Sequence, residues 1–560
     1  MNRRENNGEA KDALAVRAGA DPFFGFRGED LLATAGALAK EAVANPTLLL
    51  EEQAELVRDV IRVLAGQSDI KPAPKDKRFS DIAWTENPFY RVFLGGYLAW
   101  TKSLNELIEK TTFDELTKER ARFIAELITS AVAPSNMLAN PAALRRVLDT
   151  GGTSLVLGLR NMMSDLFGNY GMPSQVDKSA FAVGKNLATT EGSVVFRNDV
   201  LELIQYKPQT KQVYAVPLLV VPPQINKYYI FDLSPEDSLF DYLVEGGIQL
   251  FAISWRNPTA AQRDWGMDTY VAATIEAVAA VQEICKVEKI NIGGACAGAL
   301  TLTALLGYYV AGDANPINSA THMVSVLDIG PDSVLGIFAT KDIFNAAKAA
   351  SAVRGVLEGS DMGRIFAWLR PNDLVWNYWV NNYLLGKAPP AFDMLYWNAD
   401  TTRLPAKFHA ELLDIYAEGK LLRPGELVVL GRPIDVRKIA VDAYFSAGIT
   451  DHIANWKHVF GTMMAMAGDR TFVLSAAGHI QSIVNPPATA ARRQYLLNPA
   501  GAPDAEAWLK GAAPHQGSWW NHWLEWLRRR AGEQIEAPAE LGSPNYPPIT
   551  RAPGTYVFLN

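Results

Sequence analysis

The sequence predicts an α/β protein, a mostly parallel sheet carrying a helical insertion and preceded by a mainly helical part. Residues 1 to about 190 show helical spacing and few long β-rich runs. From 191 to 560 strands and helices alternate, which implies a parallel sheet with right-handed crossovers. Between one strand and the next helix sits Gly294-Ala295-Cys296-Ala297-Gly298, a sharp small-residue turn around one thiol. The chain has 560 residues, 49% of them hydrophobic and 20% charged, enough for more than one apolar core.

In the first part, Leu32 to Leu64 places Leu, Ala and Val at three- and four-residue spacings, with a break at Pro46. Polar stretches at Ser68–Lys77 and Pro173–Lys178 punctuate it. The β signal begins with a hairpin, Ser193–Phe196 and Val200–Tyr206 about Arg197-Asn198-Asp199. Val216–Val221 reads as a strand buried on both faces, with Pro217 tolerated at its start. Ser234-Pro235-Glu236 reads as a helix start and Gly246-Gly247 as its stop. Strand Ile248–Ser254, helix Tyr270–Glu283 and strand Lys289–Ile292 follow, then helix Leu300–Val310 and the apolar strand Val324–Leu327. From about 330 to 425 the chain turns helical and Trp-rich, a cap over the carboxyl ends of the strands. Trp376, Trp379 and Tyr383 share one helical stripe there, which suits either a lid or plain core. Strands resume at Ala440–Ser446 and Thr471–Ser475, and the Trp-rich, basic-ended run Ser518–Arg530 reads as a last sheet-packing helix or as a contact for a lipid-like or polymer surface.

Composition excludes several classes. Lys+Arg 53 against Asp+Glu 60 gives a net charge of -7, without the basic surplus of a nucleic-acid binder. Two cysteines, Cys285 and Cys296, exclude a disulfide scaffold and a Cys-rich zinc site, and no metal is expected. Ile290 to Gly312 lacks charge over a length that could span a bilayer, but Gly293-Gly294 interrupts it, so strand plus buried helix is the reading and no transmembrane span is expected. Met1–Ala20 mixes charges without an apolar core, which argues against a signal peptide and for a cytoplasmic protein.

The turn at Cys296 has the nucleophile-elbow pattern, with Cys where hydrolases usually carry Ser, so the fold expected is an α/β-hydrolase fold. A thiol at a helix N-terminus is favoured as thiolate. The acid and the His should then follow in order after later strands. Asp451 lies beyond Ala440–Ser446 and His479 beyond Thr471–Ser475, giving the triad Cys296, Asp451 and His479. Asp328 competes for the acid role, His452 is a candidate hydrogen-bonding neighbour, and Cys285 reads as a small core residue. The oxyanion hole is expected from the Ala297 N–H and one of Ile225 or Asn226, since Pro222 and Pro223 have no N–H.

Several longer segments bear a family resemblance: Arg78–Asp81, Asn87–Arg91, Asn198–Tyr206, Val220–Leu233 (VVPPQINKYYIFDL), Ile253–Pro258, Phe366–Leu385, Trp397–Pro405 and Ala552–Val557. With the Cys296 box, Asp451-His452-Ile453 and Gly478-His479-Ile480, the chain from about residue 78 onward resembles polyhydroxyalkanoate synthases. It is most similar to the class that polymerises medium-chain (R)-3-hydroxyacyl-CoA. The resemblance implies the same triad and no cofactor, coenzyme A being part of the substrate and the leaving group. It also implies a growing polyester and its granule surface as partners, a homodimer, and a granule or dimer role for the helical part. Trp397 matches a family position linked to a hydrophobic surface or subunit contact. Two positions depart from the family, Ala454-Asn455-Trp456 after Asp-His-Ile and Ala299 after Gly298, which bear on the Asp451 loop and on packing behind the elbow. Two rival functions share the fold, a Cys-dependent thioesterase or esterase and a non-catalytic granule coat.

Overall fold

Asparagine followed by proline opens three helices of the first part: α1 (Pro46–Leu64), α2 (Pro88–Lys110) and, after α3 (Glu115–Ala131), α4 (Pro141–Asp149). Proline suits the first helical position, where no N–H acceptor exists. Asn87 and Asn140 also accept the N–H groups of the two residues after their prolines. The computed structural model describes residues 36, 45–74, 76–312, 314–330, 333–337, 340–488 and 493–560. The reading of Met1–Ala20 and most of 32–44 lie outside the described residues.

The chain divides into two units. One is Leu14–Asp177, as far as described, with Arg364–Phe392; the other contains Lys178–Gly363 and Asp393–Asn560. The helical unit holds α1 to α4 and α5 (Thr153–Gly168), together with the Trp-rich segment the sequence assigns to a cap. Trp379 donates its indole N–H to Asn136 O at 3.1 Å, and Tyr383 donates its hydroxyl to the buried Asp165 at 2.8 Å. Trp376, Trp379 and Tyr383 meet edge to face, with centroids 5.9 and 5.2 Å apart. This stripe is core of the helical unit, so the cap expected over about 330–425 loses its middle, and the first boundary falls at 177 rather than 190.

The larger unit is built on an eleven-stranded sheet. Its elements in chain order are β1 (Gly192–Arg197), β2 (Leu201–Tyr206), β3 (Leu218–Val221), α6 (Leu239–Glu245), β4 (Leu250–Trp255), α7 (Met267–Cys285), β5 (Ile290–Ala295), α8 (Ala297–Val310) and β6 (Ile317–Met323). Then come α9 (Lys341–Arg354), α10 (Gly359–Trp368, of which only the part up to Gly363 is in this unit), α11 (Asp393–Ala399), α12 (Ala406–Glu418), β7 (Asp442–Gly448), α13 (Trp456–Ala465), β8 (Arg470–Ser475), α14 (His479–Ile483), β9 (Gln494–Leu497), β10 (Ala513–Gln516), α15 (Trp519–Arg528) and β11 (Thr550–Arg551). The strand order is β10-β9-β8-β7-β6-β5-β3-β4-β2-β1-β11. The run β4-β3-β5-β6-β7-β8 is parallel and the flanking strands are antiparallel. This is an α/β-hydrolase sheet, as the sequence predicts.

Three local expectations need correction. Gly293 and Gly294 do not end β5; the strand runs through them to Ala295, and the chain turns at Cys296. No helix among the described residues is long and apolar enough to cross a membrane. Ser234 precedes only a short 3₁₀ turn, Pro235–Asp237, which its side chain does not cap: the hydroxyl donates to Asp393 at 2.7 Å, and Ser238 caps α6 by accepting the Asp241 N–H. The strand expected at Val324–Leu327 lies earlier, at Ile317–Met323. Two of its buried polar side chains have tertiary partners, Ser319 in Asn291 at 2.7 Å and Thr321 in the Trp523 indole N–H at 3.0 Å, while His322 stacks on Phe445 with neither ring nitrogen hydrogen-bonded. Trp519, Trp520, Trp523 and Trp526 of α15 are buried, so this helix packs on the sheet.

Beside the sheet, burial pushes the Asp232 carboxyl up to about 6, against the pull of the Thr190 and Ser238 hydroxyls, which donate to it at 2.6 and 2.8 Å. The folded chain therefore holds this proton more tightly than the unfolded chain, and stability falls as pH rises from the ordinary 3.8 through about 6. Asp232→Asn is expected to flatten that slope. Urea midpoints measured across this range for both proteins should converge toward acid pH and separate, in the variant's favour, toward neutrality.

Candidate active site

Cys296 stands between β5 and α8 with φ 48° and ψ -124°, left-handed backbone that a side chain rarely adopts. The turn is held by the Cys296 N–H, which donates to Met323 O on β6 at 3.0 Å. Both glycines of the motif have steric reasons. A Cβ on Gly294 would lie 3.0 Å from Ala299 Cα, and one on Gly298 would lie 2.4 Å from Val221 O and 2.5 Å from Pro222 O. Ala299, the departure behind the elbow, is fully buried and donates its N–H to Cys296 O at 3.0 Å.

The turns after β7 and β8 bring the acid and the base together. Asp451 Oδ2 accepts the His479 Nδ1–H at 2.7 Å, and the Asp451 side chain has no exposed surface. Asp451 Oδ1 accepts the N–H groups of Ile453 at 2.8 Å and Ala454 at 2.9 Å. The departing loop is thus part of the arrangement, and Asn455 then caps α13. Because a carboxylate only accepts, Nδ1 carries the proton and Nε2 is left for the thiol. Burial disfavours the imidazolium of His479, but the Asp451 charge and hydrogen bonds to Asp451 and the Cys296 thiol outweigh it and raise its pKa. A strained thiol, a buried imidazole and an oriented carboxylate have the geometry for nucleophilic acyl transfer.

Sequence relatives place the chain in a family. A family model described as the N-terminus of poly-beta-hydroxybutyrate polymerase matches residues 75–243, and one for the α/β hydrolase fold matches residues 217–486. Poly(3-hydroxyalkanoate) polymerase 1 of Ectopseudomonas oleovorans is 48% identical over 557 residues, covering 100% of both chains. The chain belongs to the poly(3-hydroxyalkanoate) polymerase family. Polymerase 2 of the same organism is 48% identical over 537 residues, 96% of each chain, and the polymerase subunit of Cupriavidus necator is 40% identical over 500 residues, 88% of this chain and 84% of that one. Membership makes this an acyltransferase, most similar to the class II polymerases.

The other expected residues of this poly(3-hydroxyalkanoate) polymerase fall out differently. Asp328 lies against His458 Nδ1 at 3.1 Å, so Asp451 is the acid that faces His479. His452 is partly buried beside Asp451. Burial pushes the Cys285 thiol, at the end of α7, up to about 12, which keeps it protonated. Ala297 opens α8, where first-turn N–H groups lack intrahelical acceptors. Ile225 and Asn226 lie in the loop after β3, and Asn226 pairs across a bridge with Thr401. Trp397 is only 3% exposed and gives its indole N–H to Lys227 O at 2.7 Å, so it is interior and not the surface contact expected.

Sequence reasoning missed Tyr416, on α12 of the remaining cap. Its phenol pKa is raised first by burial and then by the Cys296 charge, so the ring stands within electrostatic reach of the nucleophile. No motif marks it. One acidic cluster among the described residues, Glu52, Glu55 and Glu106, brings carboxylates within 4.8 Å, and Lys110 and Lys102 pair into it.

Proposed function

We propose that this chain polymerises (R)-3-hydroxyacyl-CoA of medium chain length into polyhydroxyalkanoate, releasing CoA through a thioester on Cys296. The observation that supports this best is the His479–Asp451 hydrogen bond at 2.7 Å, facing a thiol on a strained elbow. His479 Nε2 takes the thiol proton, and the thiolate attacks the thioester carbonyl. The N–H of Ala297 and that of Ile225 or Asn226 stabilise the oxyanion. CoA leaves as a thiol with the proton from His479, so one thioester replaces another at little net cost. The hydroxyl of a second unit then loses its proton to the His479–Asp451 pair and attacks, forming the ester and freeing Cys296. Water must stay out, or the acyl-enzyme hydrolyses; Tyr416 and the cap residues still in the larger unit suit that task.

The chain-length assignment rests on the similarity to class II. We extend the proposal to cytoplasmic granules as the location, the polyester surface as a partner, and a homodimer. The granule reading is supported by α5, which exposes Val156, Leu159, Leu166 and Phe167, the last at 80%. The test is incubation with 3-hydroxydecanoyl-CoA and with 3-hydroxybutyryl-CoA, following CoA release and the acyl product. Insoluble polyester, formed faster from the longer substrate, is the expected result. Free acid would mean a thioesterase, and no CoA release from any 3-hydroxyacyl-CoA would sink both enzymatic readings.

A further inference from the structure

We propose that Asp400, with Lys227 as its buried counter-charge, is a positioning residue for acyl transfer: it fixes the loop that supplies the second oxyanion donor and ties that loop to the segment returning from the cap. The proposal rests on the functional reading above, since it needs an oxyanion to be stabilised at Ala297 and the 222–226 loop.

That loop is held from two sides. On the elbow side, the Gln224 side-chain amide donates to Thr301 Oγ1 at 3.0 Å, one turn into α8, and Thr301 in turn donates to Ala297 O at 3.2 Å. Trp255 donates its indole N–H to Pro222 O at 2.8 Å. On the cap side, α11 and the segment just after it supply the tethers. Thr402 Oγ1 donates to Gln224 O at 2.7 Å, Thr401 pairs with Asn226, and Trp397 donates to Lys227 O at 2.7 Å. Asp400 fixes this segment to the loop's end: Oδ1 lies 2.8 Å from Lys227 Nζ, and Oδ2 accepts the Tyr229 hydroxyl at 2.7 Å.

The chemistry of the pair argues for position over bulk. The Lys227 side chain is 5% exposed. An ammonium so buried costs several kcal/mol unless paired, and an apolar side chain would fill the space at lower cost. What the pair supplies is direction. It fixes the loop end while Thr402 and Thr401 fix its middle, so the distance between the loop's N–H groups and the Ala297 N–H depends on where the returning segment sits. Oxyanion donors act only within a few tenths of an ångström of their place, and losing one costs roughly 10²–10³ in rate.

Two variants test this, Asp400→Asn and Trp397→Phe, the second deleting the indole N–H to Lys227 O together with part of the ring. For each, three quantities are measured: single-turnover CoA release from 3-hydroxydecanoyl-CoA, KM, and the rate of Cys296 alkylation by iodoacetamide. Alkylation uses the same thiolate but forms no oxyanion, so a fault confined to the loop leaves it intact. The expected result is CoA release slowed about 10- to 100-fold, with KM and alkylation within about threefold of wild type. Unchanged CoA release in either variant overturns the proposal, and so does a parallel fall of alkylation and release. Should Asp400→Asn fail to fold, Trp397→Phe decides by the same readings. A wild-type protein inert toward every 3-hydroxyacyl-CoA would instead overturn the functional reading, a result read before any variant is compared.

Discussion

Cys296→Ala is expected to abolish CoA release, by a factor on the order of 10⁴ or more, while leaving the fold intact. The size follows from the unit-like behaviour of nucleophile and base: removing either one removes nearly all the catalysis the set provides. The fold should survive because the cost of φ 48° falls on any residue with a Cβ, and alanine carries no more than cysteine does. Thermal unfolding should therefore shift little while acyl adducts vanish from the intact mass. Cys285→Ala is the paired control. That thiol is pushed up to about 12 by burial and lies 3.8 Å from Gln249 Oε1, away from the triad. It should keep wild-type activity, and iodoacetamide should still label Cys296 alone. An active Cys296→Ala protein would leave the elbow without its assigned chemistry.

The Asp451–His479 pairing was legible because strand order constrains it. Once a Cys stands at a strand-to-helix turn, the acid and the His must come after later strands, and few residues qualify. Strands with an unbroken apolar run, such as β3 and the Leu250–Ile253 part of β4, were legible from local sequence alone. β6 was not, because Asn318, Ser319, Thr321 and His322 interrupt its apolar pattern; Asn291 and α15 supply hydrogen bonds to the first three, and His322 is buried against the Phe445 ring. The stripe of Trp376, Trp379 and Tyr383 exposes a different limit: helical spacing gives a face but not the surface it meets. Its partners Asn136 and Asp165 lie more than two hundred residues upstream. The Lys227–Asp400 pair was invisible for that reason too: both charges lie in family-like segments, but 171 residues separate Tyr229 from Asp400 and nothing local shows that the two segments meet.

Gly298→Ala should cost far more activity than stability. The glycine is in α8, where alanine gains about 1 kcal/mol of helix propensity. Against this, its Cβ would fall 2.4 Å from Val221 O and 2.5 Å from Pro222 O. Both are main-chain atoms, so no side chain can swing aside; either α8 or the loop after β3 must move by half an ångström or so. Overpacking of this kind costs about 1–3 kcal/mol, which leaves a net loss of roughly 0–2 kcal/mol. The displaced atoms, however, begin the loop that carries Ile225 and Asn226, and the shift opens it away from the Ala297 N–H. A rate loss of roughly 10²–10³ follows if those groups stabilise the oxyanion. Gly461→Ala provides the contrast, a glycine inside α13 with no described atom within 4 Å of the added carbon. It should raise stability by about 0.5–1 kcal/mol and leave turnover unchanged. The decisive comparison is kcat from CoA release against the thermal midpoint for both variants. Near-wild-type kcat in Gly298→Ala would mean that the segment from Val221 onward is not where the charge of the transition state is met.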